Sequence, residues 1–147
     1  MSQLSTFHVG KYLFGVDVAL VQEVVRLQQM TPVPLAAPEI AGLINLRGEV
    51  LSAIDLRVRL GLPRAPVGEG HKEPVNVVIR VDDEPVSLLV DEIGGVLEVS
   101  GTPFEQTPST VDDRVRDLLL GAYTLPDRLL LSLNARRVLD LAEVRAA

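Results

Sequence analysis

The 147 residues hold 14 lysines and arginines against 20 acidic residues, a net charge of −6, with no cysteine, 47% hydrophobic residues and only 3% aromatics. That balance excludes a nucleic-acid surface built on phosphate contacts, and it excludes disulfides, thiolate metal sites and a cysteine nucleophile. It supplies enough apolar material for one domain, or two small subdomains sharing an aliphatic, β-branched core.

From Phe7 to Asp17 apolar residues alternate on either side of Gly10-Lys11, which predicts a hairpin. The opening "MSQLSTFHVGKYLFGVD" has neither a basic leader nor a long apolar run, so it reads as the start of a cytoplasmic chain without a secretory signal. Val18, Val21, Val24 and Val25 fall at helical spacing, predicting a short helix over about 18–24 and a strand after it, with Glu23 away from the apolar stripe. Pro32, Pro34 and Pro38 follow, and Pro38-Glu39 is expected to start a single helical turn. In "GLINLRGEVLSAIDLRVRLG", Leu43, Ile44 and Leu46 face Val50, Leu51 and Ile54 across Arg47-Gly48. A turn accounts for Gly48. Arg47 stays open at this point between a solvated turn residue and part of a recognition surface. Asp55 is placed to cap the helix "LRVRL", and Gly61 to end it.

Residues 63–74, with three prolines and two glycines, predict a loop or subdomain junction. A second run of strands follows in "VNVVIRV", "EPVSLLVDEI" and "VLEV", broken by Asp82-Asp83-Glu84 and by Gly94-Gly95, the latter a tight turn or bulge. Asp112-Asp113 reads as a helix start. The hairpin "LLLGAYTL"/"RLLLSLN" turns at Pro126-Asp127, whose polar residues together with Gly121 keep this tract far short of the roughly 20 apolar residues a membrane span needs. Asn134 caps a closing helix. Many short strands with brief helices predict small β-barrels.

Catalytic chemistry finds little to stand on. His8 lies in a predicted strand and His71 in the Pro/Gly loop, neither at a ligand spacing from another histidine. The Asp82–Glu84 run reads as a solvated turn rather than a cation site, which needs converging oxygens. No cofactor or metal is expected. A small hydrolase or metalloprotein using His8, His71 and the Asp82–Glu84 turn is the alternative from a different class.

Taken in order, "GVD", "VQEV", "TPVP", "GLINLRGEV" and "IDLR" over 12–62, then "VSLLVDEIGGVLEVS" and "LLLGAYTLPDRLLLSLNARRVLDL", closely resemble CheW-domain proteins, the adaptor family of bacterial chemosensory arrays. The resemblance implies a mostly β fold of two packed, intertwined five-stranded SH3-like β-barrels with short helices and a C-terminal helix. The first barrel is expected over about 11–66 and the second over about 74–135, with strand 3–10 joining the second and the helix over 135–145. It implies a non-catalytic adaptor in the cytoplasm, recruited to receptor arrays at the inner membrane without inserting into it. The partners would be the regulatory domain of a CheA-type histidine kinase and the cytoplasmic tip of chemoreceptors. An adaptor of another chemosensory pathway, such as one for surface motility, fits equally. Carried over residue by residue, Val21, Glu23, Gly42 and Arg47 would form the receptor-binding neighbourhood, and Val96 would serve kinase binding or packing in the second subdomain. Ser52 departs from the family's frequent proline in "GEVLPVIDL". The length is expected to mark a stand-alone adaptor, as distinct from the adaptor-receiver fusion CheV and from the homologous domain of CheA itself.

Overall fold

In the computed structural model, which describes residues 2–26, 29–63 and 73–140, the apolar alternation becomes a succession of short strands. These are β1 Gln3–Val9, β2 Tyr12–Asp17, β3 Val21–Arg26, β4 Ile40–Leu46, β5 Glu49–Asp55, β6 Val75–Val81, β7 Glu84–Val90, β8 Glu92–Glu98, β9 Phe104–Glu105, β10 Leu119–Thr124 and β11 Leu129–Leu133. Three short helices are interspersed: α1 Leu56–Leu60, α2 Asp113–Arg116 and α3 Ala135–Leu139. The strands form a six-stranded sheet, β8-β1-β2-β11-β10-β9, and a five-stranded sheet, β3-β6-β7-β5-β4. The mostly β fold with short helices is the one expected, two sheets of five and six strands stand where two five-stranded barrels were expected, and the extra strand is the two-residue β9, paired to Ala122 and Tyr123.

Sheet membership crosses the expected 11–66 and 74–135 boundaries. Strand β2 joins the first sheet by pairing in parallel with β11, and β6 and β7 complete the second sheet, where β7 pairs in parallel with β5. Both parallel pairings join strands far apart in sequence, which is how the two halves interleave. Residues 64–72 of the expected 63–74 junction loop, His71 among them, lie outside the described residues, and the closing helix expected over 135–145 ends at Leu139, with Asp140 out of helical conformation.

Alternation along each strand distributes side chains between different cores. Phe7, Phe14 and Leu131 of the first sheet meet Ile54, Val77, Ile79 and Leu88 of the second in one shared cluster, which α1, α2 and α3 close with Leu56, Val115 and Val138. The opposite faces fill private clusters: Leu4, Leu13 and Leu130 in the first sheet, Ile44, Leu51, Ala53 and Val78 in the second. Strands buried on both faces read as continuous apolar runs, hence "VNVVI" and "LLLSL".

Two local expectations are corrected. The helix over 18–24 is a single 3-10 turn at Val18–Leu20, started by Asp17 Oδ1 accepting from Ala19 N at 2.9 Å. Val21, Val24 and Val25, stiff at χ1, are in strand β3 instead. Pro38-Glu39 makes a turn, Ile40 N donating to Ala37 O at 2.9 Å, and no helix. The caps are as read: Asp55 Oδ1 accepts from Arg57 N and Val58 N, Gly61 ends α1, and Asn134 Oδ1 accepts from Arg137 N. Gly94-Gly95 oppose the single residue Thr6 in the β1–β8 pairing, which is the expected bulge.

Candidate functional site

Strands β4 and β5 pair as far as Leu46 with Glu49, which leaves Arg47-Gly48 as a two-residue connection. Both residues have positive φ, 53° and 87°, the backbone of the primed hairpin turn that matches strand twist. Glycine suits the second position. At the first, an arginine is held in a conformation disfavoured for side-chain-bearing residues. Asn45 Oδ1 steadies the turn by accepting from Gly48 N at 3.0 Å.

The reason for Arg47 lies across the second sheet. Its guanidinium donates from Nη1 to Glu23 Oε1 at 2.8 Å and from Nη2 to Glu23 Oε2 at 2.6 Å, a two-bond fork. Glu23 belongs to β3, at one margin of the sheet, and Arg47 to the turn between β4 and β5 at the other. A bulge in the β3–β6 pairing between Val21 and Glu23 sets the carboxylate's position on the strand. The pair is asymmetric: the Arg47 side chain is 71% exposed and that of Glu23 only 19%. The hydrogen bonds and then the charge of Glu23 raise the Arg47 pKa further above its already high value, so the cation persists wherever the protein is folded.

Glu23 and Arg47, each expected in the same recognition neighbourhood, are therefore brought into contact. Val21, two residues before Glu23 on β3, is half-buried and packs on the margin of the shared core. Gly42 is buried in β4 rather than displayed. A Cβ there would stand 2.8 Å from Thr31 O and 3.1 Å from Met30 Cβ, because Thr31 and Leu43 exchange two backbone hydrogen bonds of 2.8 Å over this position. Gly42→Val is expected to cost about 1–3 kcal/mol in urea unfolding through this overpacking, and to speed proteolysis near Thr31. Unchanged stability and cleavage would show that the 30–31 segment yields freely. Val96 is 53% exposed on β8, in the other sheet and not among this group.

The sequence reading missed Arg80. From β6 it donates from Nε to Gln22 Oε1 at 3.1 Å and from Nη1 to Asp83 O at 2.8 Å, with Nη2 3.7 Å from Glu49 Oε1. It thus ties the neighbour of Glu23 to the strand that follows Arg47. Its signal was a single charged residue in "VNVVIRV", otherwise apolar but for Asn76. Asp82, once weighed as a cation ligand, instead forms an ion pair with Arg136 of α3 through both carboxylate oxygens. Among the described residues no three of His, Cys, Asp and Glu converge as a metal site would require.

The profile of the CheW-like domain family matches residues 3–143. The chain is 32% identical over 145 residues to the chemotaxis protein CheW of Rhizobium meliloti (strain 1021), covering 99% of this chain and 92% of that one. To the chemotaxis protein CheW of Bacillus subtilis (strain 168) it is 31% identical, covering 99% and 91%. Its fold matches the crystal structure of the scaffolding protein TtCheW from Thermoanaerobacter tengcongensis with a TM-score of 0.81 at 22% identity, over 95% of this chain and 92% of that one.

Proposed function

This chain belongs to the CheW-like domain family, and from that premise we propose that it is a non-catalytic adaptor coupling the cytoplasmic tip of a chemoreceptor to the regulatory domain of a CheA-type histidine kinase. The observation that carries the reading is the Glu23–Arg47 pair. It presents a fixed, permanently charged guanidinium with donors to spare, suited to the carboxylates and carbonyls of a helical hairpin. Val50, exposed three residues beyond Arg47, offers apolar area to the same partner. Val96 on the other sheet is assigned to the kinase, leaving one molecule able to hold both partners at once. No helix among the described residues is long and apolar enough to cross a membrane, so recruitment to receptor arrays would be by protein contact.

The test is reconstitution. Adding the purified chain to a CheA-type kinase and receptor-bearing membranes from the same cell should raise receptor-dependent kinase phosphorylation; a rate indifferent to the addition would refute coupling. Kinase capture by the chain alone should survive raised salt, since apolar burial persists when surface charges are screened beyond a Debye length of about 8–10 Å. Capture lost at moderate salt would mean that charge holds that interface.

A further inference from the structure

Strands β2 and β11 run parallel with Leu13 level with Leu130, so Lys11 and Arg128, each two residues earlier, emerge side by side at the same end of the first sheet. Strand β1 adds His8, which pairs with Leu13. All three line an open cleft of about 370 Å³, together with the hydroxyl-bearing Thr110. In a chain of net charge −6, no acidic side chain lines this cleft among the described residues. The Lys11 ammonium stands 5.3 Å from the centroid of the Tyr12 ring. Arg128 has Asp127 beside it, but at 3.9 Å and with both side chains more than half exposed, too loose to neutralise it. Tyr12 also lines the cleft, and its hydroxyl is buried without a hydrogen-bond partner among the described residues. Leu129 supplies an aliphatic wall, with the buried Leu131 behind it.

We propose that this cleft binds a small oxyanion, a phosphate or carboxylate carried on a compact apolar body. Clustered cations against low-dielectric walls focus a positive potential, and charge-assisted hydrogen bonds from Lys11, Arg128 and Thr110 would orient the anionic head. The body would lie on the partly buried Leu129, the division between a few polar groups and an apolar lining that small-molecule sites share. This site lies in the first sheet, apart from Glu23 and Arg47 in the second, and does not depend on the coupling role.

Amide chemical shifts of the isotope-labelled full chain test it, with phenyl phosphate, phenylacetate and the neutral benzyl alcohol as probes. Saturable shifts centred on His8, Lys11, Tyr12, Thr110 and Leu129 are expected, with a dissociation constant of about 0.1–1 mM. Lys11→Gln/Arg128→Gln should weaken binding about tenfold or more while the thermal midpoint stays put, since both side chains are exposed. Saturation by phenyl phosphate alone assigns the head as phosphate; saturation by phenylacetate as well assigns any oxyanion. Dispersed or non-saturating shifts, equal affinity in the double variant, or equal binding of benzyl alcohol would each overturn the proposal.

Discussion

Arg47→Ala should fold and melt close to the parent protein yet lose about tenfold or more of receptor-dependent kinase stimulation. The guanidinium itself is exposed and contributes little to folding, and leaving the 19%-exposed Glu23 without it costs only about 1 kcal/mol, whereas an arginine desolvated at an interface is a common centre of binding energy. Glu23→Gln should weaken coupling less: it leaves the cation in place but removes the charge and one acceptor oxygen that fix its direction. The informative variant is the double exchange Glu23→Arg/Arg47→Glu, which rebuilds the pair across the sheet margins with its signs reversed. If the pair only braces β3 against the β4–β5 turn, the exchange should restore coupling. We expect no restoration, because the exposed end would now be a carboxylate facing a partner suited to a cation. Normal coupling by Arg47→Ala itself would reduce the arginine to a solvated turn residue.

Sequence periodicity made the strands and their caps legible, because alternation, Asp55, Gly61 and Asn134 act over a few residues. It failed where two periods fit the same apolar set. Val18, Val21 and Val24 satisfy a helical spacing, and χ1 restriction in a strand that must also pair with β6 decided the matter. Sheet membership was illegible for another reason: the parallel pairings β2–β11 and β5–β7 join distant segments that no local pattern marks. The site was half legible. Glu23 and Arg47 were singled out separately, but the fork between residues 24 apart depends on a bulge at Gln22 and on the sheet bringing its two margins together. Gly42 shared their neighbourhood in sequence, and the structure gives it the different task of letting Thr31 lie against β4.

Asp91→Ala is expected to destabilise the fold by about 2–4 kcal/mol. The chain passes at this residue from β7 in the second sheet to β8 in the first, and one carboxylate holds three elements there. Its Oδ1 accepts from Arg57 Nε at 3.1 Å, and its Oδ2 accepts from Arg57 Nη2 at 2.6 Å and from Gly10 N in the β1–β2 turn at 2.8 Å. Arg57, at the start of α1, spends its remaining Nη1 on Pro63 O at 2.7 Å. The side chains are 17% and 34% exposed, so removing the acid strands a largely desolvated cation. Breaking a fully buried pair costs about 3–5 kcal/mol, and the one-third exposure of Asp91 lowers that figure. Arg57→Ala should cost a comparable amount, and the double variant should show a coupling energy of about 1 kcal/mol or more because both singles remove the same interaction. Asp91→Asn should fall between, since one carbonyl oxygen cannot replace two acceptors. Urea unfolding of the four variants and the parent decides the matter. Single costs below about 1 kcal/mol that simply add would mean that the shared apolar core alone fixes one sheet against the other.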